Sequence, residues 1–201
     1  DMDSLLFIAT FITLLVLSIR LIVKLIKRKQ ATKTVKYIAV VAGSYLAIWS
    51  FFYLTKKDIP TAFGTDICFD DWCATITKVE QATVLKDKDG TTLPKGCFLI
   101  AHIKMSNHAR GIAQKPSEPR VIIKDDNGKI YTYSPEGQKA LENINGKQIP
   151  LDARLELHQS LETQLVFDIP INNKGMKLII EEGPFITELL LHRNVNIFLI
   201  K

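Results

Sequence analysis

Cys68 and Cys73 bracket the stretch CFDDWC, and Cys97 stands alone downstream. Thiols can form disulfides, bind metal or act as nucleophiles. Structural zinc sites use close cysteine pairs in two sets, a spacing this chain lacks. A reactive thiolate needs a neighbouring cation or histidine, and none adjoins these cysteines in sequence. A disulfide is therefore expected if the compartment is oxidising. Cys68–Cys73, stapling the base of a short turn, is the first candidate. Cys73–Cys97, across neighbouring strands, is the second. A bridge requires Cα atoms ~4.4–6.8 Å apart. Inside the loop, Phe69, Asp70, Asp71 and Trp72 form a candidate interaction surface, since an aromatic beside carboxylates can anchor a partner. The other reading makes Trp72 a plug at one end of a core.

Other chemistry is sparse. His102, His108, His158 and His192 are scattered, with no ligand spacing. Ser134 and Ser160 lack a nucleophile-elbow context, and Glu156 and Glu162 only flank a turn. No phosphate loop or dinucleotide fingerprint is present. Asp125-Asp126-Asn127-Gly128 and Lys86-Asp87-Lys88-Asp89-Gly90 are acidic, yet neither matches the twelve-residue calcium loop. They are expected to be turns, the first joining two strands in a hairpin. The expectation is a non-enzymatic chain without metal or cofactor.

The elements that would position these residues fall into two parts. Residues 5–26 and 37–54 are apolar runs, and the second contains no charge. A bilayer core of ~30 Å needs about 20 apolar residues of helix. Both runs are apolar all round, unlike a helix buried on one face. A cleaved signal would open on basic residues, whereas this chain opens Asp1-Met2-Asp3. Two retained spans are expected. Tyr37, Trp49, Phe51, Phe52 and Tyr53 lie near the ends of the second span, where headgroups favour aromatics.

Between the spans lies a basic hinge, residues 20–36. Arg20 and Lys24 can snorkel from the end of the first span, and Lys27, Arg28, Lys29, Lys33 and Lys36 follow. Basic residues favour the cytoplasmic side, so the hinge is expected in the cytoplasm and both ends of the chain outside. The 201-residue chain carries a formal charge of +5, but nine of its 26 basic residues lie at positions 20–57. From Asp58 onward the balance is about −2. The basicity is a topology signal, and nucleic acid is not an expected partner. Within the spans the polar residues Thr10, Thr13, Ser18, Ser44 and Ser50 are not ionisable, which argues against ion transport by this chain alone.

Residues 58–201 read as all-β. Strands are expected at 66–69, 73–85, 97–106, 120–124, 129–133, 155–157, 163–169, 176–181, 185–191 and 195–200. Residues 134–142 suggest one short helix, with Ser134 as N-cap and Pro135 at its first position. The segments FLIAHIKMSN (98–107), VIIKDDNGKIYTYS (121–134), LETQLVFDIP (161–170) and NIFLIK (196–201) resemble a bacterial family. These are telokin-like, immunoglobulin-like extracytoplasmic domains of unknown function, related in fold to a secreted mycobacterial immunoprotective antigen. The positions that carry the resemblance are Asn107, Asp126-Asn127-Gly128 and Val166-Phe167-Asp168-Ile169-Pro170, and it spans roughly residues 64–201. It implies an immunoglobulin-like β-sandwich tethered to a membrane. Two spans depart from the family's usual single anchor.

The combined expectation is a membrane α-hairpin, residues 1–57, followed by an immunoglobulin-like β-sandwich, residues 58–201. It would sit in a bacterial cytoplasmic membrane with the β-domain on the periplasmic or extracellular side. There it would act as a binding or accessory module. Its partners would be membrane lipid and a protein or envelope component, or a second copy met through the helices or sheet edges. The competing layout is a two-helix membrane effector of antiviral defence whose cytosolic β-domain senses a cyclic nucleotide. The outward topology and slightly acidic domain oppose it.

Overall fold

Long apolar sequence gives long helices in a computed structural model of the chain, which describes residues 2–55, 58–86, 88, 90–171, 175–183 and 195–200. Helix α1 is Met2–Ile26 and helix α2 is Thr32–Thr55. At 1.5 Å per residue each is roughly 36 Å long. Both are long and apolar enough to cross a membrane. Ile8, Phe11, Leu15, Ile22, Val40 and Leu46 are exposed on them. The two helices touch through the Phe7 and Tyr45 rings, whose centroids are 6.4 Å apart. Lys24 Nζ also donates to Thr34 Oγ1 at 2.8 Å.

The turn between them is a Schellman closure. Lys29 N–H donates to Lys24 O at 2.9 Å and Arg28 N–H to Leu25 O at 3.1 Å. Arg28 occupies the left-handed position, φ 48°, where glycine is usual. Lys27, Arg28, Lys29, Lys33 and Lys36 are all exposed. By its internal contacts the chain divides into compact units at Lys57/Asp58.

The second unit is two packed sheets. One, in spatial order, holds β1 (Asp58–Pro60), β11 (Val195–Leu199), β10 (Lys177–Glu181), β7 (Arg120–Lys124) and β8 (Ile130–Tyr131). The other holds β2 (Ile67–Phe69), β3 (Trp72–Ala82), β6 (Cys97–Asn107) and β9 (Ser160–Ile169). A ribbon of β4 (Leu85–Lys86) and β5 (Thr91–Thr92) pairs with neither sheet. The main core between the sheets includes Leu99, Ile103, Ile123, Phe167, Leu178 and Phe198. Strand period sets this: β6 sends Cys97, Leu99, Ala101, Ile103 and Met105 inward.

The opposite face of β6 is also covered. Phe98 and Ile100 form a smaller core with Val166, Leu85, Ala140 and Leu141. The last two belong to α3, Pro135–Asn145. Ser134 caps this helix, accepting from Gly137 N–H at 3.1 Å, with Pro135 in its first turn. Gly137 lets α3 approach the sheet closely. A Cβ there would stand 2.7 Å from Val166 Cγ1 and 2.9 Å from Phe98 Cε1.

Several elements differ from expectation. The stretch 73–85 is two strands, β3 and β4, and β3 carries a bulge between Ile76 and Lys78. The extra residue reverses the alternation, so Trp72, Ala74 and Ile76 face the core before it and Val79 after it. Residues 155–157 form no strand. Leu155 makes a single bridge to Gln114, because side chains rather than a ladder hold this segment. The expected strand 129–133 shortens to β8, and Tyr133 bridges instead to Phe167 of the other sheet. Residues 185–191 lie outside the described residues. The short strand β1, paired in parallel with β11, had no sequence signal.

Candidate functional site

The β2–β3 hairpin forms one end of the sandwich. Phe69 pairs with Trp72, leaving Asp70 and Asp71 as a two-residue turn. Asp70 has φ 59°, a left-handed conformation that aspartate adopts more readily than most residues. One rung below, Cys68 pairs with Cys73 and the two are joined by a disulfide, with Cα atoms 4.0 Å apart. Cys73–Cys97 is excluded by register. Cys73 stands opposite Ser106, while Cys97 lies at the far end of β6, about 30 Å away at ~3.3 Å per residue. Cys97 is a free, buried thiol. Burial, and secondarily the Asp168 carboxylate, raise its pKa above the ordinary thiol value.

The four loop residues separate. Asp70 and Asp71 are exposed and Phe69 is half-buried. Trp72 is only 2% exposed, which corrects its reading as a surface anchor. It lies in phase with Ala74 and Ile76 on the core face, its ring 5.8 Å from that of Phe69. Trp72 is a core plug.

Two polar clusters brace this end. Asn107, 2% exposed, closes β6. Its Nδ2 lies 3.0, 3.1 and 3.2 Å from the carbonyl oxygens of Ile112, Leu155 and Glu156. Its Oδ1 accepts from Ala109 N–H at 2.8 Å. This asparagine therefore fastens two loops that have no ladder of their own. Next to it, His108 N–H donates to Asp71 O at 2.8 Å. His108 Nε2 is 3.1 Å from Ser106 Oγ and 3.6 Å from Asp66 Oδ2.

Serine, histidine and aspartate together suggest nucleophilic catalysis, a grouping not read from the sequence. The geometry does not provide it. A relay places the carboxylate on the ring nitrogen opposite the one facing serine. Here both face Nε2, and 3.6 Å exceeds hydrogen-bond distance. The backbone bond from His108 N–H to Asp71 O instead ties the end of β6 to the β2–β3 turn. Nothing in the sequence spacing links Asp66 to His108, since only the β3–β6 register brings them together.

Beside Asp66 a cleft of about 470 Å³ opens between the edges of the two sheets. Ile59, Pro60, Thr61 and Ala62 line one side, and Asp66, Ile67 and Cys68 the other. Lys177 Nζ lies 2.9 Å from Asp58 Oδ2 and ties β1 to β10. This contact raises the Lys177 pKa.

Among the remaining histidines, His102 contacts Glu80 at 3.4 Å and Gln164 at 3.1 Å. His158 is exposed, and His192 lies outside the described residues. Among the described residues no group of three histidine, cysteine or acidic side chains is placed to hold a metal. The Asp125 carboxylate serves its own turn, accepting from Asn127 and Lys129 N–H at 2.9 Å each. Asp87 and Asp89 of the other acidic turn lie outside the described residues.

Two packed sheets with a disulfide-braced end define a β-sandwich domain. Residues 64–189 match a domain of unknown function, DUF4352, and the chain belongs to that family. Solved structures similar to it include a conserved hypothetical protein from Bacillus anthracis, at 13% identity and TM-score 0.49, covering 68% of this chain and 94% of that one. An uncharacterized β-sandwich protein from Clostridium difficile is similar at 13% identity and TM-score 0.44, over 73% and 96% of the two chains. The secreted protein MPT63 from Mycobacterium tuberculosis is similar at 10% identity and TM-score 0.44, over 71% and 98%. No curated protein matches.

Proposed function

We propose that this chain is a membrane-anchored, non-enzymatic binding or accessory module of a bacterial cytoplasmic membrane, its sandwich on the extracytoplasmic side. The observation that carries the reading is the helical hairpin. Two apolar helices of spanning length meet at a turn bearing Lys27, Arg28 and Lys29, with Lys33 and Lys36 in the first turns of α2, all five exposed. No acidic residue occurs between positions 4 and 57 to offset them. Such asymmetry orients hairpins with the turn in the cytoplasm. The Cys68–Cys73 bridge is consistent with an oxidising compartment, and the open sheet edges supply surface for a partner.

Protease added to intact spheroplasts tests the placement. Digestion of the sandwich without lysis is the expected result. Full protection until lysis would place the domain in the cytosol and favour the cyclic-nucleotide effector.

A further inference from the structure

We infer that the free edge of β2 is a docking strand for an extended, alternating apolar and basic segment of a partner protein. The inference rests on the reading of the sandwich as a binding module, and it names the site and the class of partner.

The edge is free because of the hairpin register. In an antiparallel pair, hydrogen-bonded rungs alternate with closer non-hydrogen-bonded ones. Phe69 and Trp72 flank the two-residue turn and form a bonded rung. Cys68–Cys73 is then a non-bonded rung, as its Cα separation of 4.0 Å agrees. The Cys68 N–H and C=O therefore point away from β3. β2 is the outer strand of its sheet among the described residues. Asp66, two residues earlier, has the same phase. The facing edge of β1 is unsuited to the same role, because Pro60 has no N–H to give.

The cleft selects the pattern of side chains. A strand added to β2 alternates its side chains between the two faces of the sheet. Inward positions enter the cleft, where Ile59, Pro60 and Ala62 offer apolar contact beside the polar Thr61, Thr65 and Asn196, so small apolar side chains such as valine suit them. Outward positions lie beside Asp66, near the exposed turn carboxylates of Asp70 and Asp71. Neither turn carboxylate has a basic partner among the described residues, and Asp66 has only His108. Basic outward residues complement that charge.

The test uses the full chain in a neutral detergent with three synthetic peptides. They are acetyl-Val-Lys-Val-Lys-Val-amide, its glutamate counterpart, and the lysine peptide N-methylated at alternate residues. The lysine peptide is expected to bind and to slow hydrogen exchange at the Cys68 amide. The glutamate and N-methylated peptides should bind at least about tenfold more weakly. The exposed triple substitution Asp66→Asn, Asp70→Asn, Asp71→Asn should weaken lysine-peptide binding about tenfold. Equal binding of all three peptides, or binding that leaves Cys68 exchange unchanged, would overturn the inference. So would protection of Cys68 that rises with protein concentration alone, which would assign the edge to a second copy. These outcomes do not depend on which side of the membrane the domain occupies, so the spheroplast result stands or falls separately.

Discussion

The Gln138 side-chain amide hydrogen-bonds the outer edge of β9 much as a neighbouring strand would. Its Oε1 accepts from Val166 N–H at 3.0 Å, and its Nε2 donates to Gln164 O at 3.0 Å. Gln148 Oε1 takes Gln164 N–H at 3.0 Å, and Ser134 N–H reaches Val166 O at 2.7 Å. A ten-residue edge strand is an aggregation hazard when left open, and α3 with its flanks closes this one. Gln138→Ala removes two of these bonds. At ~0.5–1.5 kcal/mol each, and with water able to replace them, the expected loss is about 1–2 kcal/mol. Urea unfolding of the detergent-solubilised protein measures it, and light scattering should rise for the variant. Unchanged stability and scattering would show that the edge needs no closure.

Gly137 sets the depth at which α3 sits on Val166 and Phe98. Alanine is the better helix former by about 1 kcal/mol. Overpacking costs ~1–3 kcal/mol, and contacts of 2.7 and 2.9 Å demand a shift of two buried side chains. Packing therefore wins, and Gly137→Ala should destabilise the domain. A raised melting temperature would mean that the small core beneath α3 yields easily.

Asp168 explains the acidic residue of the LVFDIP strand. Its carboxylate accepts from Lys95 N–H at 2.8 Å and Gly96 N–H at 3.1 Å. It pins the loop entering β6, where a Cβ on Gly96 would stand 2.1 Å from Ile169 O. Hydrogen bonds to a charged group contribute ~1.5–3 kcal/mol. Asp168→Ala should lose about that much, with Asp168→Asn losing less because its amide oxygen still accepts. Equal effects of the two variants in urea titrations would count against this role.

What was legible in the sequence was local. The Cys68–Cys73 pair, the Ser134 cap before Pro135 and the central strands each carry their signal within a few residues. What was not legible depends on distant pairing. Thr77 gives no sign that it begins a register shift, yet that bulge decides which β3 residues meet the core. Trp72 sits beside two aspartates and could be read as a surface anchor or as a core plug, and only its phase with Ala74 and Ile76 decides for the plug. Asp66, Ser106 and His108 meet only because β2, β3 and β6 are neighbours. Leu155 has the apolarity of a strand residue, yet it pairs with Gln114 alone, and its carbonyl accepts from both Gln114 N–H and the Asn107 side chain.

The buried Cys97 thiol makes stability fall at alkaline pH. An unfolded thiol ionises near pH 8.5, whereas burial and the Asp168 charge hold the folded one protonated to higher pH. Its stabilisation is complete below about pH 8.5 and is lost as pH rises through the folded value. Cys97→Ala should flatten the decline in unfolding free energy above pH 8.5 while costing little at neutral pH. Parallel slopes for the two proteins would assign the alkaline loss to other groups.

The Cys68–Cys73 bridge closes a short loop, so its stabilisation should be modest. Chain-entropy reasoning gives about 2 kcal/mol for a loop of this length, and the hairpin's other pairings persist without it. Cys68 is exposed and open to reductant, whereas Cys73 and Cys97 are buried. Mild reduction of the native protein should therefore open this bridge and make Cys68 the first thiol to react with an alkylating reagent. Urea unfolding of the reduced protein should show a loss of about 2 kcal/mol. Trp72 fluorescence should keep a buried signature, because Ala74, Ile76 and the inter-sheet core hold the ring independently. Recording it in a Trp49→Phe background isolates this tryptophan. A shift to solvent-exposed emission on reduction would show instead that the disulfide keeps Trp72 in the core.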